Sequence, residues 1–189
     1  MEMNELVAYG ANGICRIESI CEQEIDGTAR KFYVLRPLDS ESSTIYVPTD
    51  SEVLCKKMKR LLEPEEVLTL IRQMSETDTI WIDNDRERNE RYRQILADGN
   101  CSELTALTKT LYERKQHLAR YGRKLRSGDE RTLQQAEKIL FSEMAVVLGI
   151  KRGEVLPFID EYLKAQIKNE ESPHETVDKQ FGVRYDIGD

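Results

Sequence analysis

In the stretch Glu63-Pro-Glu-Glu-Val-Leu-Thr-Leu-Ile-Arg-Gln-Met74, the hydrophobic pattern of the chain changes its period. A proline suits the first position of a helix, and glutamates in the first turn favour the positive end of the helix dipole. Val67, Leu70, Ile71 and Met74 then fall on one helical face. The stretch predicts a helix, and it divides the chain into two parts of different structural class.

The residues before this stretch have the composition of short strands. Runs of β-branched and aromatic residues alternate with turn residues, and Asp26-Gly27 readily supplies the positive φ angles of a two-residue hairpin turn. The runs are Leu6-Val-Ala-Tyr9, Ile14-Cys-Arg-Ile-Glu-Ser-Ile20, Phe32-Tyr-Val-Leu35 and Thr44-Ile-Tyr-Val47. Four or five strands in so few residues predict a small bent sheet or partial barrel over residues 1–60.

The residues after this stretch keep a helical period. Further helices are predicted at about residues 85–97, from about 102 through Leu118, at about 129–148, and at about 154–168. Residues 75–82 lack periodicity and indicate a linker. We therefore expect a compact helical domain over residues 61–168, an α+β chain, and a polar tail over residues 169–189.

Two local signals refine the helix bounds. Ser127 and Glu130 have the spacing of a capping box for the helix that follows them. Pro157 is tolerated in the last predicted helix only if it lies in the first turn.

The composition is typical of a globular chain, with 39% hydrophobic and 33% charged residues. No run of about 18 apolar residues occurs, and Met1-Glu-Met-Asn-Glu5 has neither the basic start nor the apolar stretch of a signal peptide. We therefore expect a cytoplasmic protein without a membrane partner. The cysteines, which we expect to be reduced and without a metal, are Cys15, Cys21, Cys55 and Cys101.

Motifs of catalysis are missing from the sequence. It contains no G-x-S-x-G, H-E-x-x-H, Walker or Rossmann glycine pattern. Asp83-Asn-Asp85 begins like a calcium-binding loop, but Arg88 stands where that loop requires glycine. The carboxylates lie in mixed-charge runs that are typical of solvated surfaces. We expect no enzymatic activity, no cofactor and no small-molecule substrate.

The charge is unevenly distributed. The net charge of -7 argues against a nucleic-acid partner, because phosphate binding requires lysine and arginine. However, residues 86–131 carry twelve bases against seven acids, a local excess of five positive charges, whereas residues 61–85 carry one base against seven acids. Helices that presented these bases on one side would form a phosphate-binding face. The alternative is a solvated surface that neighbouring glutamates neutralise.

Trp81 is the only tryptophan, and it stands between the linker and the arginine-rich run of residues 85–93. A tryptophan at such a junction often packs the linker against the core. It can instead act as an aromatic wedge that stacks on an exposed base or enters a widened minor groove. The sequence leaves both interpretations open.

Two groups of motifs occur in one order between about residues 5 and 165. The first group comprises Val7-Ala-Tyr-Gly-Ala-Asn-Gly13, Ile25-Asp-Gly27, Phe32-Tyr-Val-Leu-Arg36 and Ile45-Tyr-Val-Pro48. The second comprises Thr79-Ile-Trp-Ile82, Arg91-Tyr92, Leu96-Ala-Asp-Gly99, Leu111-Tyr-Glu-Arg-Lys115, Gly128-Asp-Glu130 and residues 136–148. The first resembles the polymerase-interacting domain shared by CarD-type regulators and transcription-repair coupling factor. The second resembles the C-terminal domain of CarD/CdnL proteins.

This resemblance implies a bacterial transcription regulator without enzymatic activity. In that family a Tudor-like N-terminal domain docks on the β-subunit lobe of RNA polymerase, and the helical domain contacts promoter DNA at the upstream edge of the melted bubble. A family tryptophan wedges into the minor groove there. We accordingly expect a monomer with RNA polymerase and promoter duplex DNA as its partners.

The basic segment and the resemblance together select candidate site residues. For DNA contact they are Trp81, Arg86, Arg88, Arg91, Arg93, Arg114, Lys115, Arg123, Lys124 and Arg131. For RNA polymerase contact they are Gln23, Ile25, Tyr46 and Pro48.

The chain departs from the family pattern at both candidate sites. Some members carry arginines on the polymerase-facing surface where this chain has Gln23 and Tyr46. In several members the wedge tryptophan lies about four residues later, near Asp85. Four residues make one helical turn, so Trp81 reaches the same groove if the helix begins early. An alternative function is that of a protein-interaction adaptor, whose helical bundle binds a protein and whose Trp81 belongs to the core.

Overall fold

A computed structural model describes residues 1–40 and 42–170 of the chain. Its strands are β1 (Leu6–Tyr9), β2 (Ile14–Ile25), β3 (Thr28–Pro37), β4 (Ile45–Pro48) and β5 (Met58–Arg60). Its helices are α1 (Glu52–Cys55), α2 (Pro64–Gln73), α3 (Asp85–Asp98), α4 (Cys101–Ala119), α5 (Ser127–Leu148) and α6 (Val155–Glu170). The predicted α+β class is confirmed. The predicted tail lies outside the described residues, apart from the end of α6.

The strands form one open antiparallel sheet in the order β4-β3-β2-β1-β5. The turn between β2 and β3 has φ angles of 52° at Asp26 and 74° at Gly27, as its sequence predicts. The side chains that form the core of the sheet are Val7, Tyr9, Cys15, Ile17, Leu35, Val47 and Met58. The sequence did not predict β5, because Met58-Lys-Arg60 has no strand pattern of its own and becomes a strand by pairing with β1.

The helical part has a larger core of its own. Its most deeply buried side chains include Tyr92, Ile95, Leu104, Leu107, Leu111, Leu133, Leu140 and Met144. Pro64 is the first residue of α2, and the Asn84 side chain caps α3 by accepting hydrogen bonds from the N–H groups of Arg86 and Glu87.

The predicted capping box of Ser127 and Glu130 is wrong. Helix α5 begins at Ser127, so its N-cap is Arg126, whose side chain makes no capping hydrogen bond. The helix starts about two residues earlier than the hydrophobic pattern predicts, which places Ser127 inside the first turn. Pro157 does lie in the first turn of α6, as expected.

The sheet and the helical part are in direct contact. Gly10, in the turn after β1, packs against the end of α3 so closely that an added Cβ would lie 2.4 Å from the carbonyl oxygen of Ala97. Lys59 Nζ donates a hydrogen bond to the carbonyl of Asp98 at 2.9 Å. The backbone N–H of Leu62 donates to the buried carboxylate of Glu143 in α5 at 3.0 Å. These contacts position the sheet against α3 and α5.

Within the described ranges, no helix is long and apolar enough to cross a membrane.

Candidate nucleic-acid interface

Trp81 lies in the irregular segment between α2 and α3, and its side chain is half-buried. It packs against the helical core, and its indole N–H donates to Asp83 Oδ1 at 2.9 Å. The preceding residue fixes the segment to α4, because the N–H of Ile80 donates to Thr110 Oγ1 at 2.9 Å. Helix α3 begins only at Asp85, so Trp81 precedes the helix and does not extend it by a turn.

Two arginine side chains lie over the indole ring. The guanidinium carbon of Arg88 is 4.4 Å from the ring centroid, and that of Arg114, on α4, is 4.8 Å from it. Both distances are in the range of cation–π attraction. Trp81 is therefore held between the helical core and two positive charges.

Arg88 is buried, with 3% of its side chain exposed. Its guanidinium donates to Asp85 Oδ1 at 2.6 Å and to the carbonyl of Ile82 at 2.8 Å, and it lies 3.6 Å from the buried carboxylate of Asp129. Burial opposes the positive charge, but the bond to Asp85 and the charge of Asp129 outweigh it and raise the pKa of Arg88. This position does not suit the expected phosphate contact, because the guanidinium already faces inward.

Two further ion pairs bring three helix ends together near Trp81. Arg126, just before α5, pairs with Asp85 at the start of α3. Lys115 near the end of α4 pairs with Glu130 in the first turn of α5 at 2.9 Å. The start of α3, the end of α4 and the start of α5 therefore surround Trp81 at one end of the bundle.

Five of the predicted DNA-contacting bases are exposed and, within the described part of the chain, have no acidic partner. They are Arg86, Arg114, Arg123, Lys124 and Arg131. All five belong to the three helix ends or to the loop between α4 and α5. We call these five residues together with Trp81 the basic end of the bundle. Exposed cations without a carboxylate neighbour are free to neutralise phosphates.

Three other predicted bases are paired with acids. Arg91 contacts Glu103 at 2.5 Å, Arg93 contacts Glu90 at 2.7 Å, and Lys115 contacts Glu130. Arg91 and Arg93 also lie further along α3, away from Trp81. Neighbouring glutamates partly neutralise these three charges, which agrees with a solvated surface at these positions.

The buried role of Arg88 was missed in the sequence, although a signal for it exists. Arg88 precedes Tyr92, Ile95 and Leu96 by four, seven and eight residues, which is the spacing of the buried face of a helix. An arginine on such a face requires acidic partners, and Asp85, three residues earlier, is one of them. The other, Asp129, is 41 positions away and could not be identified from spacing.

Three of the four predicted polymerase-contacting residues lie on one face of the sheet. Gln23 pairs with Arg30, Tyr46 with Val34, and Pro48 with Phe32. Because these partners in β3 are separated by two and four residues, they point to the same side. Tyr46 is 50% exposed. Ile25 is the last residue of β2, next to the hairpin turn.

Among the described residues, no group of three or more histidine, cysteine, aspartate or glutamate side chains is arranged to hold a metal ion.

Comparison with family models agrees with both parts of this structure. Residues 1–61 match the CarD-like/TRCF RID domain, and residues 66–160 match the CarD C-terminal domain. No curated protein matches the chain. The two domains in this order define a transcription regulator that interacts with RNA polymerase. The chain belongs to the CarD family, whose members are non-enzymatic transcription factors.

Proposed function

We propose that this protein binds the β-subunit lobe of RNA polymerase through residues 1–60 and promoter DNA through residues 61–168. The DNA contact falls at the upstream edge of the melted bubble, and the complex alters the stability of the open promoter. The observation that carries the proposal is the basic end: Arg114 lies over the only tryptophan, and the other four exposed cations, which have no acidic partner among the described residues, lie on the adjoining helix ends and loop, up to 50 positions away in sequence.

The chemistry of the basic end suits a partly melted duplex. Its cations can neutralise the phosphates of the backbone, and the indole can stack on a base that has lost its partner. Contacts made to the open form and not to the closed form lower the free energy of the open complex. Tethering to polymerase raises the effective concentration of DNA, so weak contacts suffice.

The sheet supplies the tether. Gln23, Tyr46 and Pro48 share one face of β2, β3 and β4, and the exposed ring of Tyr46 packs edge-on against Phe32 with 6.4 Å between centroids. An exposed aromatic side chain on a rigid strand is a suitable anchor for a protein partner. We include Ile25 in this surface from its position at the end of β2.

The decisive experiment measures two quantities for each variant: co-elution with RNA polymerase and the lifetime of the open promoter complex. We expect Trp81→Ala to bind polymerase normally while the lifetime returns toward its value without the protein. We expect Tyr46→Ala to weaken co-elution and to lose the effect on lifetime with it. If Trp81→Ala binds polymerase normally and gives the same open-complex lifetime as the wild type, the DNA role is contradicted and a protein-interaction adaptor is favoured.

A further inference from the structure

The two arginines that cover Trp81 are held very differently. Arg88 is buried and bound by Asp85, by the carbonyl of Ile82 and by the nearby carboxylate of Asp129. It is a fixed support for the indole.

Arg114 has none of these restraints. It is exposed on α4, and within residues 1–40 and 42–170 its guanidinium has no ion pair or hydrogen bond, only its contact with the indole at 4.8 Å. It is also one of the cations of the basic end, so an incoming phosphate has direct access to it. Arg114 therefore combines two positions: it covers the aromatic ring, and it faces the expected backbone of the DNA.

The strengths of the two possible contacts decide which one Arg114 keeps. An exposed cation–π contact is weak, because water screens the charge. A guanidinium bound to phosphate makes charge-assisted hydrogen bonds that can be bidentate, and it releases a counterion. Arg114 should leave the indole when a phosphate comes within reach, whereas the bonds of Arg88 keep it in place.

We propose that Arg114 is a displaceable cover of Trp81, which lies on the indole in the free protein and transfers to a DNA phosphate when the indole meets a base. This inference rests on the proposed function and adds a mechanism to it. The indole is covered while the protein is free, and it becomes available for stacking only where a phosphate stands beside an unstacked base. The cover thereby couples recognition of the backbone to exposure of the aromatic ring.

The first part of the test uses the free protein. Because Trp81 is the only tryptophan, quenching of its fluorescence by acrylamide reports on this site alone. We expect Arg114→Met to raise the quenching constant by about two-fold, since an exposed cation–π contact stabilises the covered state by only a few-fold. The matched control is Arg120→Met, which removes an exposed arginine at the end of the same helix without contact to the indole, and it should leave quenching unchanged.

The second part measures the salt dependence of binding to a duplex that contains a short unpaired segment. We expect Arg114→Met to reduce the slope of log affinity against log salt by about one, because one phosphate contact is lost. Arg114→Lys should restore the slope, since lysine keeps the charge. If Arg114 only packs on Trp81, both variants should keep the salt slope of the wild type.

The outcomes separate the two hypotheses. If the wild-type protein does not bind this DNA, the proposed function fails, and the transfer of Arg114 to phosphate fails with it. If the wild-type protein binds the DNA but Arg114→Met leaves either the quenching constant or the salt slope unchanged, the displaceable cover is overturned while the proposed function stands.

Discussion

Arg88 shows how one buried charge organises the candidate interface. Its guanidinium bonds to Asp85 at the start of α3, approaches Asp129 at the start of α5 and supports the ring of Trp81. A buried ion pair offsets the cost of desolvation only while both partners remain. The residue thus holds two helix ends and the tryptophan in one arrangement.

We predict that Arg88→Met lowers the free energy of unfolding by about 3 kcal/mol, because it leaves the buried carboxylate of Asp129 without its cation. Thermal or denaturant unfolding measures the loss. The control Arg86→Met removes an exposed arginine two residues earlier that has no acidic partner in the described part of the chain, and it should change stability by less than about 0.5 kcal/mol.

A double substitution isolates the pair. Arg88→Met combined with Asp129→Asn should cost clearly less than the sum of the two single changes, because the unpaired charge is then absent. Additive losses would show that Arg88 stabilises the fold through packing alone.

At the scale of elements, the joint between the sheet and α3 is made by two glycines. Gly99 ends α3 in the left-handed conformation, and a Cβ added there would lie 2.9 Å from the Cα of Gly10. Gly149 ends α5 with nearly the same backbone angles, but a Cβ added there would meet open space. The two positions therefore differ in packing and not in local conformation.

We predict that Gly149→Ala destabilises the protein by about 1 kcal/mol, the cost of a left-handed alanine. Gly99→Ala should lose about 1–3 kcal/mol more, because the new methyl group pushes the turn at Gly10 away from α3. Unfolding measurements on both variants give the difference. Equal losses in the two variants would show that the joint tolerates the methyl group and that the packing of Gly10 on Gly99 is loose.

At the scale of the whole molecule, ion pairs lower the pKa of several carboxyl groups. The hydrogen bond from Arg60, assisted by the N–H of Glu63, lowers the pKa of Glu66 to about 2. Arg36 lowers the pKa of Glu18, and Arg88 with Arg126 lowers that of Asp85. The pKa of Glu137 shifts in the opposite direction, because burial raises it. Arg60 and Glu66 also connect the last strand of the sheet to α2.

These shifts predict acid sensitivity. A carboxyl group whose pKa is lower in the folded state stabilises the fold above its unfolded pKa, and that contribution disappears as the pH falls through the folded pKa. For Glu66 the loss runs from its ordinary value of 4.5 down to about 2. We expect Glu66→Gln to be less stable than the wild type at neutral pH and to approach it as the pH falls through this range.

Equilibrium unfolding across this pH range provides the measurement. Glu65→Gln, which changes the exposed glutamate next to it, should keep the pH dependence of the wild type. If the stability of Glu66→Gln follows the same pH profile as the wild type, the bond between Arg60 and Glu66 does not contribute to acid sensitivity.

Local sequence patterns were enough to predict the class of each segment and the order of the two parts, because strand and helix periods and the Asp26-Gly27 turn are local properties. The sequence also determined the family, through motifs that occur in a fixed order. It left Trp81 undecided between core and wedge, and the structure shows why: the ring is half-buried against the core and covered by two arginines.

The packing of the helices determines which bases are exposed and which are buried or paired with acids. Twelve bases in residues 86–131 look equivalent in sequence, yet Arg88 is buried, Arg91 and Arg93 are paired, and Arg114 lies on the indole. Likewise, the contact between Gly10 and Gly99 joins positions almost 90 residues apart. The free energy of a charge depends on burial and on the nearest opposite charge, and both are set by segments that are distant in the chain. The local pattern predicts the elements, and their packing selects the bases that form the basic end, where we propose that DNA binds.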